Sequence, residues 1–336
     1  MTDTLTTAIH TYLSAAPTGL FNGREVTLVQ AWAGADNLLW RVQADDQDAV
    51  LKLFLDAGQA RSRRQFAGQE CFAPLGLAPQ PLWVDRYPAG LAHQALVYAW
   101  AEGTAPDPTA SSDAELLAEA VAIIHSYMPE TMPRVSPHPV NLAYLQRLLA
   151  SSISSIDLWL SQAGAPALQQ AFGRTAGVAM SRMHQAQPLW ANARPGLIHG
   201  DLTLEHVIMT GRGPVLLDWE MFGLGDPALE IGGFLLQSRS VFSDEQQAHW
   251  LTRYLARMAQ PGLEQRIAAA RAVLPFRHLC RLLDGVRQSD EPGEIDAETR
   301  LAIADLINRT WQASDAALDL DVNDLNANLN TIMARM

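Results

Sequence analysis

The spacing of apolar and polar positions changes several times along the chain, and each change predicts an element. Residues 4–15 carry apolar side chains at helical spacing and stop at the Pro17/Gly19 turn. From Val26 to Leu55 the pattern is strand-like: VTLVQAWAG, NLLWRVQA and DAVLKLFL, linked by the polar turns GADN and DDQD, predict an antiparallel meander. Residues 60–76 return to a helix-like pattern, with Phe66, Cys71 and Phe72 among the apolar positions. Pro74, Gly76, Pro79 and Pro81 close it, and HQALVYAW predicts one more strand. The Pro/Thr/Ser/Asp-rich stretch TAPDPTASSD then marks a domain boundary. Helical periodicity dominates beyond it, over 113–127, 141–163, 166–186, 244–259, 263–288, 296–316 and 321–335. The exception is residues 195–232, PGLIHGDLTLEHVIMTGRGPVLLDWEMFGLGDPALEIG, which read as strand, loop, strand, turn and strand. No internal repeat or low-complexity tract is visible. The expected class is α+β: a small antiparallel β N-lobe with one main helix (1–101) and a larger, mostly helical C-lobe (102–336).

Composition narrows the function. With 336 residues, 48% of them hydrophobic, and a mean hydropathy of -0.02, the chain has material for a sizeable core and is not disordered. It has no run of about 18 apolar residues, so no transmembrane helix is expected. The first sixteen residues have no basic stretch before their apolar ones, so no signal peptide is expected either. Only Cys71 and Cys280 are present, which excludes a disulfide framework and a cysteine-based zinc site and fits a reducing cytoplasm. The net charge of -12 disfavours a nucleic-acid or anionic-membrane partner. It favours a neutral or cationic small molecule.

The basic residues carry a sharper signal. Of the 24, only Lys52 is a lysine. Alternation puts it on one strand face with Val50 and Phe54, where an unpaired ammonium is costly to bury. An edge or snorkelling lysine would be the structural explanation, but a lysine kept where every other cation is arginine points to anion binding. A second cluster lies in LIHGDLTLEHVIM. His199 and Asp201 are two residues apart, His206 follows, and Asp218 ends the apolar strand VLLD. Singly, these read as turn aspartates and satisfied core histidines. Together, a lysine in a β lobe, an aspartate in a polar loop and an aspartate after a strand match the parts needed for phosphoryl transfer. The lysine would hold nucleotide phosphates, the loop aspartate would take a hydroxyl proton, and the strand-end aspartate would hold magnesium.

At these residues HGDLTLEH resembles the catalytic loop of the aminoglycoside phosphotransferase and choline kinase-like superfamily. DWE resembles its metal motif, and GLGDPALEIG is similar to the segment that follows. AWAGADNLLWRV resembles the nucleotide-covering loop, VLKLF the lysine strand and LVYAWAEG the hinge, so the likeness spans roughly residues 25–235 in order. The resemblance implies a two-lobed protein-kinase-like fold and an ATP-dependent kinase acting on a small-molecule hydroxyl, with GTP as the alternative nucleotide and Mg2+ as the metal. It implies Lys52 on the α/β-phosphates, Asp201 as catalytic base, His199 as a brace of the catalytic loop and Asp218 as magnesium ligand. Gly34, Asp36 and Asn37 would cover the phosphates, Tyr98 to Trp100 would hold the adenine, and Asp226 would tie down the segment after the metal motif.

Two positions depart from that pattern. His206 stands where most relatives carry an asparagine metal ligand, and serves either as a ligand or as a loop brace. The acid expected to pair with Lys52 falls near Gln65. Glu70, the only carboxylate in that helix, lies five residues on, about 500° around the helix and well off the same face; it is the candidate partner if the helix is shifted, and otherwise Lys52 lacks its usual ion-pair partner or Gln65 substitutes with an amide. A catalytically impaired nucleotide- or ligand-binding protein is the second reading, and a metallohydrolase built on His199, Asp201, His206 and Asp218 the third. A protein kinase is disfavoured, because only eight steps separate Asp218 from Asp226 and no APE segment follows. The acceptor stays open among aminoglycoside, choline, thiamine, homoserine, sugar and macrolide. Trp159, Trp190, Trp250, Trp311, Asp284 and Asp290 are candidate pocket residues, each read singly as core or solvated.

Overall fold

A computed structural model describes residues 3–16, 18–56, 60–107, 110–288 and 296–333. They form two compact units: residues 1–138, 196–225 and 240–258 in the first, and 139–195, 226–239 and 259–336 in the second. In chain order the first unit supplies α1 (Asp3–Ser14), β1 (Thr27–Ala33), β2 (Asn37–Ala44), β3 (Gln47–Phe54), α2 (Arg61–Phe72), β4 (Pro81–Asp85), β5 (Gln94–Ala99), α3 (Ser111–Ser126) and β6 (Ser136–Pro137). The second supplies α4 (Leu142–Gln162) and α5 (Pro166–Ala186). The first resumes with β7 (Gly196–Ile198), β8 (Val207–Thr210), β9 (Gly213–Leu216) and β10 (Gly223–Gly225). Next come α6 (Pro227–Gln237) of the second unit and α7 (Asp244–Arg257) of the first, and α8 (Leu263–Arg287), α9 (Ala297–Ala317) and α10 (Asn326–Met333) complete the second.

The first unit is built on an antiparallel sheet in the order β1-β2-β3-β5-β4. Alternation along β3 separates its faces. Leu51 and Leu53 join Trp40, Val42, Ala95 and Val97 in a core closed by Ile9, Tyr12 and Leu13 of α1. Val50 and Phe54 face the other way with Leu96 and Tyr98. Burying each large apolar side chain contributes about 1.5–3 kcal/mol, so a one-residue slip would forfeit both cores. Lys52 therefore sits at the centre of the sheet, opposite Leu39 and Leu96, with its ammonium 4.9 Å from the centre of the Phe54 ring. Two smaller sheets, β6-β10-β7 and β8-β9, form the frame of the loops that follow. The stretch beginning at Thr104 lies in this unit, where Thr104 exchanges both backbone bonds with Met209.

In the second unit α8 packs against α4, α5, α6 and α9. Phe172, Phe276 and Trp311 meet in its core, and Gly232 of α6 lets α8 approach closely. Among the described residues no helix is long and apolar enough to cross a membrane.

Three elements depart from the sequence expectation. β4 forms at Pro81, within what reads as proline punctuation, because a strand's first residue on a sheet edge needs no proline N–H. α6 replaces the end of the predicted β segment: Asp226 is its N-cap, accepting from the Ala228 and Leu229 amides, and Pro227 is its first residue. The last helix starts at Asn326 rather than 321, because Asn308 takes Asp324 and the Leu325 amide into side-chain hydrogen bonds.

Candidate active site

The first unit alone gathers Lys52, Gln65, Asp201, His206, Asp218 and Glu220. Lys52 is 2% exposed, and its Nζ donates to Gln65 Oε1 at 2.9 Å, Asp218 Oδ1 at 2.5 Å and Glu220 Oε2 at 2.9 Å. All three ammonium protons are used, which is how a charge this deep is tolerated. Burial works against ionisation of Asp218, yet the Lys52 ammonium, with His206 and His199 beyond it, holds its carboxyl below the usual range. Asp218 has left-handed backbone (φ 58°, ψ 56°) at the start of the short turn Trp219–Met221, which turns Trp219 inward against Phe72 and His199. That conformation is costly for a residue with a Cβ and is held here by tertiary contacts.

The loop after β7 is braced from behind. His199 is 1% exposed and donates from Nε2 to the Leu217 carbonyl at 2.8 Å. Gly200 has φ +88°, and a Cβ there would lie 2.0 Å from the Met221 carbonyl oxygen. His138 Nε2 donates to that same carbonyl at 2.7 Å, and a Cβ at Gly223 would meet the His138 ring at 2.2 Å. His138 is thus a support that no sequence motif reveals. Asp201, in front, leaves its side chain 50% exposed.

His206 Nδ1 lies 2.9 Å from the Asp201 carbonyl oxygen, and a carbonyl only accepts, so Nδ1 carries the proton. Nε2 is therefore turned toward Asp218 Oδ2, 3.8 Å away. In the neutral ring this sets a nitrogen lone pair against a carboxylate oxygen, an arrangement that a cation between them would relieve. The pair would offer a divalent cation such as magnesium one carboxylate oxygen and one imidazole nitrogen. Among the described residues no three or more His, Cys, Asp or Glu side chains are grouped so that they could hold a metal ion, and the His199 Nε2 is engaged with its carbonyl.

The nucleotide candidates fall in place unevenly. Gly34 donates its N–H to the Asn37 carbonyl in the β1–β2 turn, and the Leu55 N–H donates to the Asp36 carbonyl. Asp36 accepts from Arg61 at 2.7 Å, and Asn37 Nδ2 donates to Glu220 Oε2 at 3.0 Å. Tyr98 is buried on the Lys52 face, where burial and then the Asp218 carboxylate push its hydroxyl well up. Trp100 lies under the Arg41 guanidinium, 4.2 Å from the ring centre. The Ala99 and Trp100 amides are already bonded to the Gln80 and Asp48 carbonyls. Among the described residues the next hinge N–H, that of Ala101, has no such backbone acceptor.

Glu70 is not the partner of Lys52. It is exposed on α2, away from the Ser62, Gln65 and Gln69 face that turns inward. The carboxylate on Lys52 is Glu220, the last letter of DWE, which also accepts from Arg61 at 3.2 Å. Asp226 belongs to the second unit, where it caps α6 and accepts from Trp190 Nε1 at 3.0 Å. Of the pocket candidates, Trp190, Trp250 and Trp311 are buried, Trp159 is half-buried, and Asp284 pairs with Arg287 at 3.0 Å. Asp290 lies outside the described residues.

Several solved structures share this fold at low identity. A choline/ethanolamine kinase family protein from Mesorhizobium loti has a TM-score of 0.62 and 18% identity, covering 99% of this chain and 100% of its own. The choline kinase LicA from Streptococcus pneumoniae has 0.58 and 15%, covering 91% and 98%. The ADP-bound aminoglycoside phosphotransferase APH(2'')-Ib has 0.58 and 14%, covering 88% and 94%. The fold is protein-kinase-like, as expected. No curated protein matches the chain significantly. The phosphotransferase enzyme family matches residues 27–270, a span holding every side chain of the site, and the chain belongs to that family.

Proposed function

We propose that the protein is an ATP-dependent kinase that phosphorylates a hydroxyl of a small molecule, with residues 1–101 as the nucleotide-binding lobe and 102–336 as the catalytic and substrate-binding lobe. The observation that carries this reading is the convergence of Lys52, Asp218, His206 and Asp201 in one unit, with His206 Nε2 aimed at Asp218. Bound MgATP would supply the phosphoryl group and neutralise charge on it. Lys52 is the one compact ammonium available to phosphate oxygens. Asp218 and His206 would hold the metal. Asp201 would orient the acceptor hydroxyl and take its proton on the exposed carboxylate, while His199 and His138 keep the loop in place. The β1–β2 turn at Gly34, Asp36 and Asn37 would cover the phosphates, and the Ala101 N–H would meet the adenine. The net charge of -12 favours a cationic or neutral acceptor, and choline and aminoglycoside in the names of the structural neighbours suit that class, while the ADP bound to one of them suits the nucleotide. Two free cysteines suit a reducing compartment such as the cytoplasm.

The test is ADP release from MgATP, with GTP in parallel, across a panel of choline, ethanolamine, aminoglycosides, sugars and hydroxylated metabolites. A hydroxyl compound that stimulates release and gains a phosphate confirms the reading. Nucleotide binding without turnover on any acceptor would favour the catalytically impaired alternative.

A further inference from the structure

We propose that Glu220 is a positioning residue that replaces a helix acid as the lasting ion-pair partner of Lys52, and that it latches α2 and the β1–β2 turn onto the end of β9. This deepens the kinase reading, and its nucleotide arm rests on that reading. Three observations carry it. The α2 position facing Lys52 is Gln65, whose amide oxygen offers a dipole but no charge. Of the two carboxylates on Lys52, Asp218 is 30% exposed and turned toward His206, whereas Glu220 is 12% exposed and turned toward protein. Both Glu220 oxygens are engaged: Oε2 by Lys52 and Asn37, Oε1 by Arg61. Its own carbonyl accepts from Arg64 Nε at 2.9 Å.

The consequence is electrostatic. When Asp218 serves a metal, Lys52 keeps one carboxylate, and an ammonium this buried without one is strongly destabilised. Glu220 supplies that charge while Arg61 and Arg64 fasten the first turn of α2 to it. The latch is thus made from the segment after the metal aspartate rather than from the helix.

The first experiment needs no ligand. Unfolding of wild type, Lys52→Met, Glu220→Gln and the double variant forms a double-mutant cycle, expected to be clearly non-additive. The second is a transplant: Gln65→Glu on the Glu220→Gln background returns a carboxylate to Lys52 from the helix. Glu220→Gln is expected to weaken ATP binding about tenfold, both with magnesium and in EDTA, and Gln65→Glu to restore most of it. An additive cycle, or failure of Gln65→Glu to rescue, overturns the proposal. So does a defect seen only with magnesium, which would make Glu220 a metal ligand. If Glu220→Gln does not fold, Glu220→Asp with and without Gln65→Glu reads the same rescue. If wild type binds no ATP, the kinase reading fails, while the ligand-free cycle still decides the Lys52–Glu220 pair.

Discussion

Asp201 projects a half-exposed carboxylate from a loop whose backbone is fixed by His206 and Gly200, so replacing it changes chemistry more than structure. Asp201→Asn is expected to lower turnover by about 10²–10⁴ while ATP affinity stays near wild type, because it removes a base and no phosphate contact. Single-turnover assays beside calorimetry check this, and unchanged turnover removes Asp201 from its role. Lys52→Arg keeps the charge but is expected to weaken ATP binding. A planar guanidinium cannot place three protons on Gln65, Asp218 and Glu220 from the space that a tetrahedral ammonium fills. Wild-type affinity in Lys52→Arg would end the argument from the single lysine. His206→Asn is expected to retain activity and to shift the metal preference from manganese toward magnesium, since an amide oxygen is a harder ligand than imidazole. Superimposable metal titrations of the two proteins would leave His206 as a brace only. Lys52 was legible from its singularity, and His199, Asp201, His206 and Asp218 from one short segment. Glu220 was not, because its partners Asn37, Lys52 and Arg61 are 159 to 183 residues away and no local spacing encodes that meeting.

Helices and strands set by amphipathic period were readable because burial of one face decides them: α1, α2, α4, α5, α8 and the β1–β3 meander lie close to where periodicity puts them. Elements decided at their ends were harder. β4 begins with a proline, and α6 follows a glycine-rich turn, so both were hidden by residues that usually mark loops. The signal for α6 was nevertheless present in Asp226-Pro227, an N-cap followed by a first-turn proline. Asp226 therefore allows a test at this scale. Asp226→Ala removes the acceptor for two helix amides and for Trp190, and is expected to cost about 1–2 kcal/mol in denaturant unfolding. Burial raises the Asp226 carboxyl, against the pull of Arg266 and the capping amides. A folded value above the unfolded one means a contribution fully present in acid and lost as pH rises through the folded value. The gap between wild type and Asp226→Ala is thus expected to be widest below the ordinary carboxylate range and to narrow toward neutrality. A gap that widens with pH would show the carboxylate itself to be the stabilising form.

At the scale of the whole molecule, the site residues come from two of the three stretches of chain that fold into one unit, separated by a segment that builds the other. β2, β3 and α2 supply Asn37, Lys52, Arg61 and Gln65, and the loops around β7, β8 and β9 supply His199, Asp201, His206, Asp218 and Glu220. A ligand that engages both groups adds bonds between segments more than 100 residues apart in sequence, where the ligand-free protein relies on Lys52, Arg61 and Asn37 reaching Glu220 and Asp218. Ligand that binds only the folded state at about 100 times its Kd stabilises it by about 2.7 kcal/mol. Saturating MgATP is therefore expected to raise the unfolding midpoint of wild type and to leave Lys52→Ala unmoved. Hydrogen exchange should locate the gain: slower exchange in β2, β3, the hinge at Ala101 and the loop from Gly200 to His206, with little change in α9 and α10 of the second unit. Protection centred on α9 and α10 instead would place the nucleotide away from Lys52 and refute the site built on it.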